Sequence, residues 1–144
     1  MQRVSRASVS TGDERLGTIG AGMLILVCAM RGDTARRAEL LAQRIAHFRF
    51  FPDEHGRMNR SALECRLPAL VVSQFTLAHD SSSKSGRRPS FDAAAPPGEA
   101  IVLCEAFVAA LRALGLETAE GRFGARMQVE LVNDGPVTFW FDEP

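Results

Sequence analysis

The sequence is poor in the residues from which metal sites and disulfide frameworks are built. It holds three cysteines, Cys28, Cys65 and Cys104. The number is odd, the spacings are wide and no Cys-x-x-Cys occurs. That pattern speaks for reduced, buried thiols in a cytosolic protein, and against disulfides or a zinc site. Histidine is as sparse: His47, His55 and His79 stand far apart, with no His-x-His or His-Glu-x-x-His. A bound metal needs several convergent ligands, so none is expected. Neither sign of charge is in excess, since 17 basic residues balance 17 acidic ones. No global field steers a polyanion, and any nucleic-acid contact has to rest on local patches. The longest apolar run, Met23 to Met30, is far short of a membrane span. The start, Met1-Gln2-Arg3-Val4-Ser5-Arg6, lacks the apolar core of a signal peptide. A cytoplasmic protein without membrane contact is the expectation. Gly17, Gly20 and Gly22 do not make Rossmann or P-loop spacings, so no nucleotide cofactor, and no cofactor of any kind, is indicated. The absence of a Gly-x-Ser-x-Gly elbow argues against an α/β-hydrolase triad.

What is present suits one folded domain over residues 1–144, with 46% hydrophobic residues to supply a core. Residues 2–10 and 16–19 read as strands around the turn Thr11-Gly12-Asp13. Residues 23–29 are apolar on both faces, as in a central strand. Asp33 or Thr34 can cap a helix whose buried stripe is Ala38, Leu41, Ile45 and Phe48. Pro52-Asp53-Glu54-His55-Gly56 reads as a turn, and the segment from there to Pro68 as irregular. A second helix begins at Pro96-Pro97-Gly98-Glu99, buries Ala100, Leu103, Phe107, Ala110 or Leu111, and Leu114, and ends at Gly115. Residues 117–120 form a short strand. Residues 127–132 and 137–141 alternate as strands around Asn133-Asp134-Gly135-Pro136, a tight turn. The expected fold class is mixed α/β. The element order is β-β-β-α-β-α-β-β-β, a curled mixed sheet carrying two helices.

The chemistry concentrates at Leu70-Val71-Val72-Ser73-Gln74-Phe75-Thr76-Leu77-Ala78. A buried strand opens this stretch, and then three hydrogen-bonding side chains replace the apolar ones. If the chain stays extended, Ser73, Phe75 and Leu77 share one face and Gln74 and Thr76 the other. The Ser-, Lys- and Arg-rich loop 79–89 follows, with Lys84, Arg87 and Arg88. A polar strand end beside a basic loop fits an anionic ligand; an edge strand with ordinary turn polarity fits the same residues. Thr76 or Ser73 attacks an ester only with a base nearby, and His79 is the nearest in sequence. Otherwise these hydroxyls bind ligand or backbone. Gly135-Pro136 reads by default as a trans hairpin turn, since only about 5–6% of X-Pro bonds are cis. A cis bond there would aim backbone carbonyls into a pocket.

Taken together, Gln2-Arg3-Val4, Arg6-Ala7-Ser8-Val9, Gly20-Ala21-Gly22, Ser73-Gln74-Phe75-Thr76-Leu77-Ala78, Arg88-Pro89-Ser90-Phe91, Gly121-Arg122-Phe123, Met127-Gln128-Val129 and Asn133-Asp134-Gly135-Pro136-Val137-Thr138-Phe139 resemble the D-aminoacyl-tRNA deacylases over nearly the whole chain. The resemblance implies hydrolysis of the ester joining a D-amino acid to the terminal adenosine of tRNA, and removal of glycine mischarged on alanine tRNA. It implies a metal-free cytoplasmic homodimer, in which a cis Gly135–Pro136 enters the partner's active site and excludes L-amino acids. Arg3 would steady that pair, and Phe123 and Met127 would hold the adenine. Ser73, Gln74 and Phe75 would position the substrate or offer backbone donors. Thr76 matches a threonine first proposed as nucleophile, while the later family view gives that chemistry to the substrate's own 2′-hydroxyl. Lys84, Arg87 and Arg88 would meet the acceptor end of tRNA. Two departures stand out. Family members usually begin a few residues earlier, so the first strand looks clipped. The basic loop reads Lys84-Ser85-Gly86-Arg87-Arg88, where the family more often has Lys-Gly before its Arg-Pro. Two rival readings come from the residues themselves: a small-ester hydrolase using Thr76, and a non-catalytic tRNA-binding module using the basic loop.

Overall fold

The structure, a computed structural model, describes residues 1–80, 82 and 86–143. The chain runs β1 (Gln2–Thr11), β2 (Glu14–Ile19), β3 (Gly22–Val27), α1 (Ala35–His47), β4 (Phe51–Pro52), β5 (Met58–Arg60), α2 (Ala62–Cys65) and β6 (Ala69–Ser73). A 3-10 helix (Phe75–Ala78), α3 (Pro97–Ala113), β7 (Thr118–Glu120) and β8 (Gln128–Thr138) complete it. One mixed sheet has the order β2-β1-β3-β6-β7, with β8 added on β1. β3, β6 and β7 run parallel, and the pairs involving β1 are antiparallel. β1 gives its C-terminal half to β2 and its first residues to β3, while β8 follows nearly its whole length. The sheet therefore has to bend at β1. It curls until β2 reaches β7: a Cβ added at Gly17 would lie 3.2 Å from the Glu120 carbonyl and 3.3 Å from Ala119 Cβ. A side chain there would crowd both, so glycine suits the approach.

The two faces of β3 and β6 explain the core. Met23, Ile25 and Val27 of β3, with Ala69 and Val71 of β6, pack under the helices against Ile45, Phe50, Phe107 and Leu111. Leu24, Leu70 and Val72 point the other way, into the curl, and meet Val4, Ala7, Val9 and Ile19. Strands buried on both faces need continuous apolar runs, which is what 23–27 and 69–72 supply. Phe107 and Leu111 are almost fully buried, each worth roughly 1.5–3 kcal/mol of apolar burial.

The mixed α/β class, the curled sheet and the two long helices agree with the sequence reading. Thr34 caps α1, its hydroxyl accepting the Arg37 N–H. Pro97 begins α3, and Gly115 follows its last turn at φ +94°. Three expectations need correction. The turn at 52–56 is there, but the segment after it is not irregular: β5 pairs with β4, and Ser61 and Glu64 form a reciprocal capping box that starts α2. The hydrogen bonds to Glu64 also hold its carboxyl below the usual range. The strand expected through Leu77 stops at Ser73: the Gln74 N–H makes the last ladder bond, to the Val27 carbonyl, and the chain then coils into the 3-10 helix. Finally, residues 127–132 and 137–141 are not two strands about a hairpin. They join in β8, both halves pairing with β1, and residues 139–141 lie beyond its end. The three cysteines are free, as expected, but only half-buried.

Candidate active site

The parallel pair β3–β6 delivers Ser73 to a sheet end, opposite Val27. Ser73 lines a cleft of about 250 Å³ with Val27, Val71, Gly121, Arg122 and Phe123; α3 closes it with Ile101, Cys104, Glu105 and Val108. Phe123 thus stands beside Ser73 although the two are far apart in sequence. Met127 is not on the cleft wall. Its thioether sits behind, accepting the Arg122 N–H at 3.3 Å, and so supports the loop that carries Phe123. Arg122 itself is tied to Glu14 at 2.8 Å. Burial pushes the Cys104 thiol up to about 11, so it stays protonated and is no nucleophile near neutrality.

The 3-10 helix sets the remaining groups of the motif. A helix start leaves its first N–H groups without helical partners. The Gln74 N–H is spent on Val27, but those of Phe75 and Thr76 make no hydrogen bond among the described residues. The Gln74 side-chain amide donates to the Thr76 hydroxyl. No histidine or carboxylate hydrogen-bonds that hydroxyl among the described residues. His79 instead lies edge-on to Phe91, which also meets the exposed Phe75 at 5.1 Å between ring centres. The coil of the 3-10 helix also undoes the alternation expected for Ser73 to Leu77.

Phe91 and the Asp80 N–H, bonded to the Ser90 carbonyl, pin the base of the basic loop beside Phe75. Arg87 and Arg88 are exposed and have no hydrogen-bonding or ionic partner among the described residues. Lys84 lies outside the described residues. No three His, Cys, Asp or Glu side chains converge on a metal-sized site among the described residues. No helix among them is long and apolar enough to cross a membrane.

Gly135 and Pro136 occupy an arch within β8. While β1 advances from Gln2 to Val4, β8 runs from Thr138 to Asn133, and the surplus residues bulge out. The Gly135–Pro136 bond is cis, not the trans default, and both residues are exposed. Arg3 braces the arch, donating to the Asp134 carbonyl and to the Phe50 carbonyl, each at 2.9 Å. The register separates this arch from Ser73. Gln2 and Val4 stand opposite Leu24 and Gly22 of β3, whereas Ser73 stands opposite Val27. At about 3.3 Å per residue, the arch is roughly 10–16 Å away along the strands. The interstrand steps β8-β1-β3-β6 add about 14 Å along the sheet. Within one chain the structure brings together Ser73, Gln74, Phe75, Thr76 and Phe123, but not Gly135 and Pro136. The sequence places Phe91 and Asn133 inside motifs without giving either a role, and it leaves out the α3 wall of the cleft. Asn133 was read only as a turn residue, and long-range contacts leave no local spacing to read.

A family model described as D-Tyr-tRNA(Tyr) deacylase matches residues 1–142. The D-aminoacyl-tRNA deacylase of Cereibacter sphaeroides (strain KD131 / KCTC 12085) is 56% identical over 142 residues, covering 99% of this chain and 97% of the relative. That of Thermomicrobium roseum is 54% identical, covering 99% and 91%. Among solved structures, one titled c-Myc DNA Unwinding Element Binding Protein superposes with a TM-score of 0.90 at 37% identity, over 99% of this chain and 96% of that one. A second, titled as a probable eukaryotic D-amino acid tRNA deacylase, gives 0.77 at 17% identity and is similar in fold, over 94% and 92%.

Proposed function

The chain belongs to the D-aminoacyl-tRNA deacylases, hydrolases of an ester bond that proofread charged tRNA, and from that membership we propose how its own residues perform the reaction. The observation that carries the mechanism is the pair of N–H groups at Phe75 and Thr76 that have no partner among the described residues. An aminoacyl ester is already activated. Its hydrolysis needs a placed nucleophile and preorganised donors for the oxyanion, and little else. The terminal adenine enters the Ser73–Phe123 cleft and stacks on Phe123, with Met127 holding that loop from behind. The ester carbonyl meets the N–H groups of Phe75 and Thr76, and Ser73 and Gln74 orient the ribose. The substrate's 2′-hydroxyl assists water at the carbonyl carbon. The tetrahedral intermediate then expels the 3′-oxygen, which leaves protonated, and the amino acid departs. No protein acyl ester forms, since the Thr76 hydroxyl faces an amide donor where a nucleophile needs a base.

Selectivity comes from a second copy of the chain. Gly135 and Pro136, too far along the sheet to line their own cleft, reach the partner's cleft in a homodimer. Arg3 holds them in place. Rigid backbone there overlaps an L side chain and leaves a D side chain free. Rejecting a larger group by overlap is easy and rejecting a smaller one is hard. Glycine has no side chain to exclude, so glycine mischarged on alanine tRNA is also a substrate. The exposed Trp140 just beyond β8 offers apolar area to that contact. Arg87 and Arg88, with Lys84, take the phosphates of the acceptor stem. The working unit is one deacylase domain over residues 1–144, acting in the cytoplasm without metal or cofactor.

Paired D- and L-aminoacyl-tRNA substrates test this reading, with a small activated ester as control. The purified protein should release the D-amino acid and leave both other compounds intact. Equal turnover of the small ester would favour the Thr76 esterase reading. Binding of tRNA without turnover would favour the RNA-binding module.

A further inference from the structure

We propose that Asn133 is a positioning residue that fixes the Gly135–Pro136 arch and so sets the selectivity between the two hands of the amino acid. The inference rests on the shared-site reading above. It starts from a gap in the β1–β8 ladder. Where the arch bulges out, strand pairing is interrupted, and other groups have to tie its ends together. Asn133 supplies them. Its Oδ1 accepts the Val137 N–H at 2.7 Å. Its Nδ2 has two hydrogens to share among three acceptors, the Val137 carbonyl at 3.2 Å, Thr138 Oγ1 at 3.1 Å and Gln2 Oε1 at 3.0 Å. An amide is suited to this because it offers an acceptor and two hydrogens in one plane. One side chain thus stands in for the missing ladder at both feet of the arch.

The second grip is Arg3, which holds the Asp134 carbonyl. Gln2 and Arg3 are neighbours in β1, so their side chains leave opposite faces of the strand. The arch is braced from both. Its tip has no comparable anchor among the described residues: Gly135 has no side chain and Pro136 is exposed. The position of the tip is therefore set at its feet. A backbone gate discriminates only if it is held to a fraction of the size of the group it rejects, and misplacement by about 1 Å can cost about a hundredfold in rate.

Asn133→Asp tests this with little change of shape. The carboxylate can still accept from Val137 N–H, but it has no hydrogen for the Val137 carbonyl. We expect kcat on D-aminoacyl-tRNA to fall about tenfold with KM for tRNA within about twofold, and the L-to-D ratio of kcat/KM to rise about tenfold. A merely structural role would lower activity with the folded fraction and leave that ratio alone. A folded Asn133→Asp protein with the wild-type ratio and kcat overturns the proposal. Should that variant lack a cooperative melt, Gln2→Leu carries the test. It removes one acceptor from the reach of Asn133 Nδ2 and should shift the ratio in the same direction by a smaller factor, and an unchanged ratio overturns the proposal. Failure of the underlying reading looks different: the wild-type protein itself would then hydrolyse D- and L-substrates alike.

Discussion

The side-chain amide of Gln74 donates to the hydroxyl of Thr76. A hydroxyl that receives a hydrogen bond from an amide is being oriented; it is not being deprotonated. Thr76→Ala should therefore keep a substantial part of its turnover. The loss should be about fivefold, the worth of roughly 1 kcal/mol for one hydrogen bond. A tRNA ending in 2′-deoxyadenosine and charged on its 3′-hydroxyl should be cleaved about a hundredfold more slowly. A dead Thr76→Ala that still binds substrate, together with an acyl-enzyme trapped on the wild type, would return the catalytic role to Thr76.

Arg87 and Arg88 are exposed beside the pinned base of their loop. If they meet phosphates, removing them weakens tRNA binding and flattens its dependence on salt. The slope of log K against log salt should fall by up to about two in the Arg87→Ala, Arg88→Ala double variant. Filter binding between low and moderate salt measures it, and an unchanged slope would leave the pair as solvated surface.

Burial pushes the Cys104 thiol from 9.0 up to about 11. The folded chain therefore keeps a proton that the unfolded chain releases first. Its contribution to stability is fully present below pH 9 and is lost as pH rises through about 11. Chemical unfolding across this range should show a decline in stability that Cys104→Ala reduces, and alkylation of Cys104 at pH 8 should be slow.

Both long helices, the double-faced strand 23–27 and the Ser73–Thr76 motif were legible because their signals are local. Periodicity, caps and apolar runs are fixed by neighbours within a few residues. The path of Gly135–Pro136 was not. Asn-Asp-Gly-Pro has the composition of a turn, and only the pairing of both flanks with β1 keeps it inside one strand. The end of β6 was misjudged for a similar reason. Nothing in Gln74-Phe75-Thr76 announces that the chain leaves the ladder once the Gln74 N–H has bonded the Val27 carbonyl. The cleft was legible only through its separate motifs, since Ser73 and Phe123 meet by topology.

The central claim is that one chain's cleft is completed by another chain's arch, and mixing two damaged proteins tests it most directly. In Gly135→Val the arch is spoiled, because even a Cβ there would lie 2.6 Å from the Val137 nitrogen. In Phe123→Ala the cleft is spoiled, through loss of roughly 1–3 kcal/mol of base stacking. Alone, Gly135→Val should be nearly inactive on D-aminoacyl-tRNA, and Phe123→Ala should lose about 5- to 150-fold in kcat/KM. After the two are unfolded and refolded together, mixed dimers hold one intact site each, and activity should return to about a quarter of the wild-type value. Formation of mixed dimers with no return of activity would contradict the shared site.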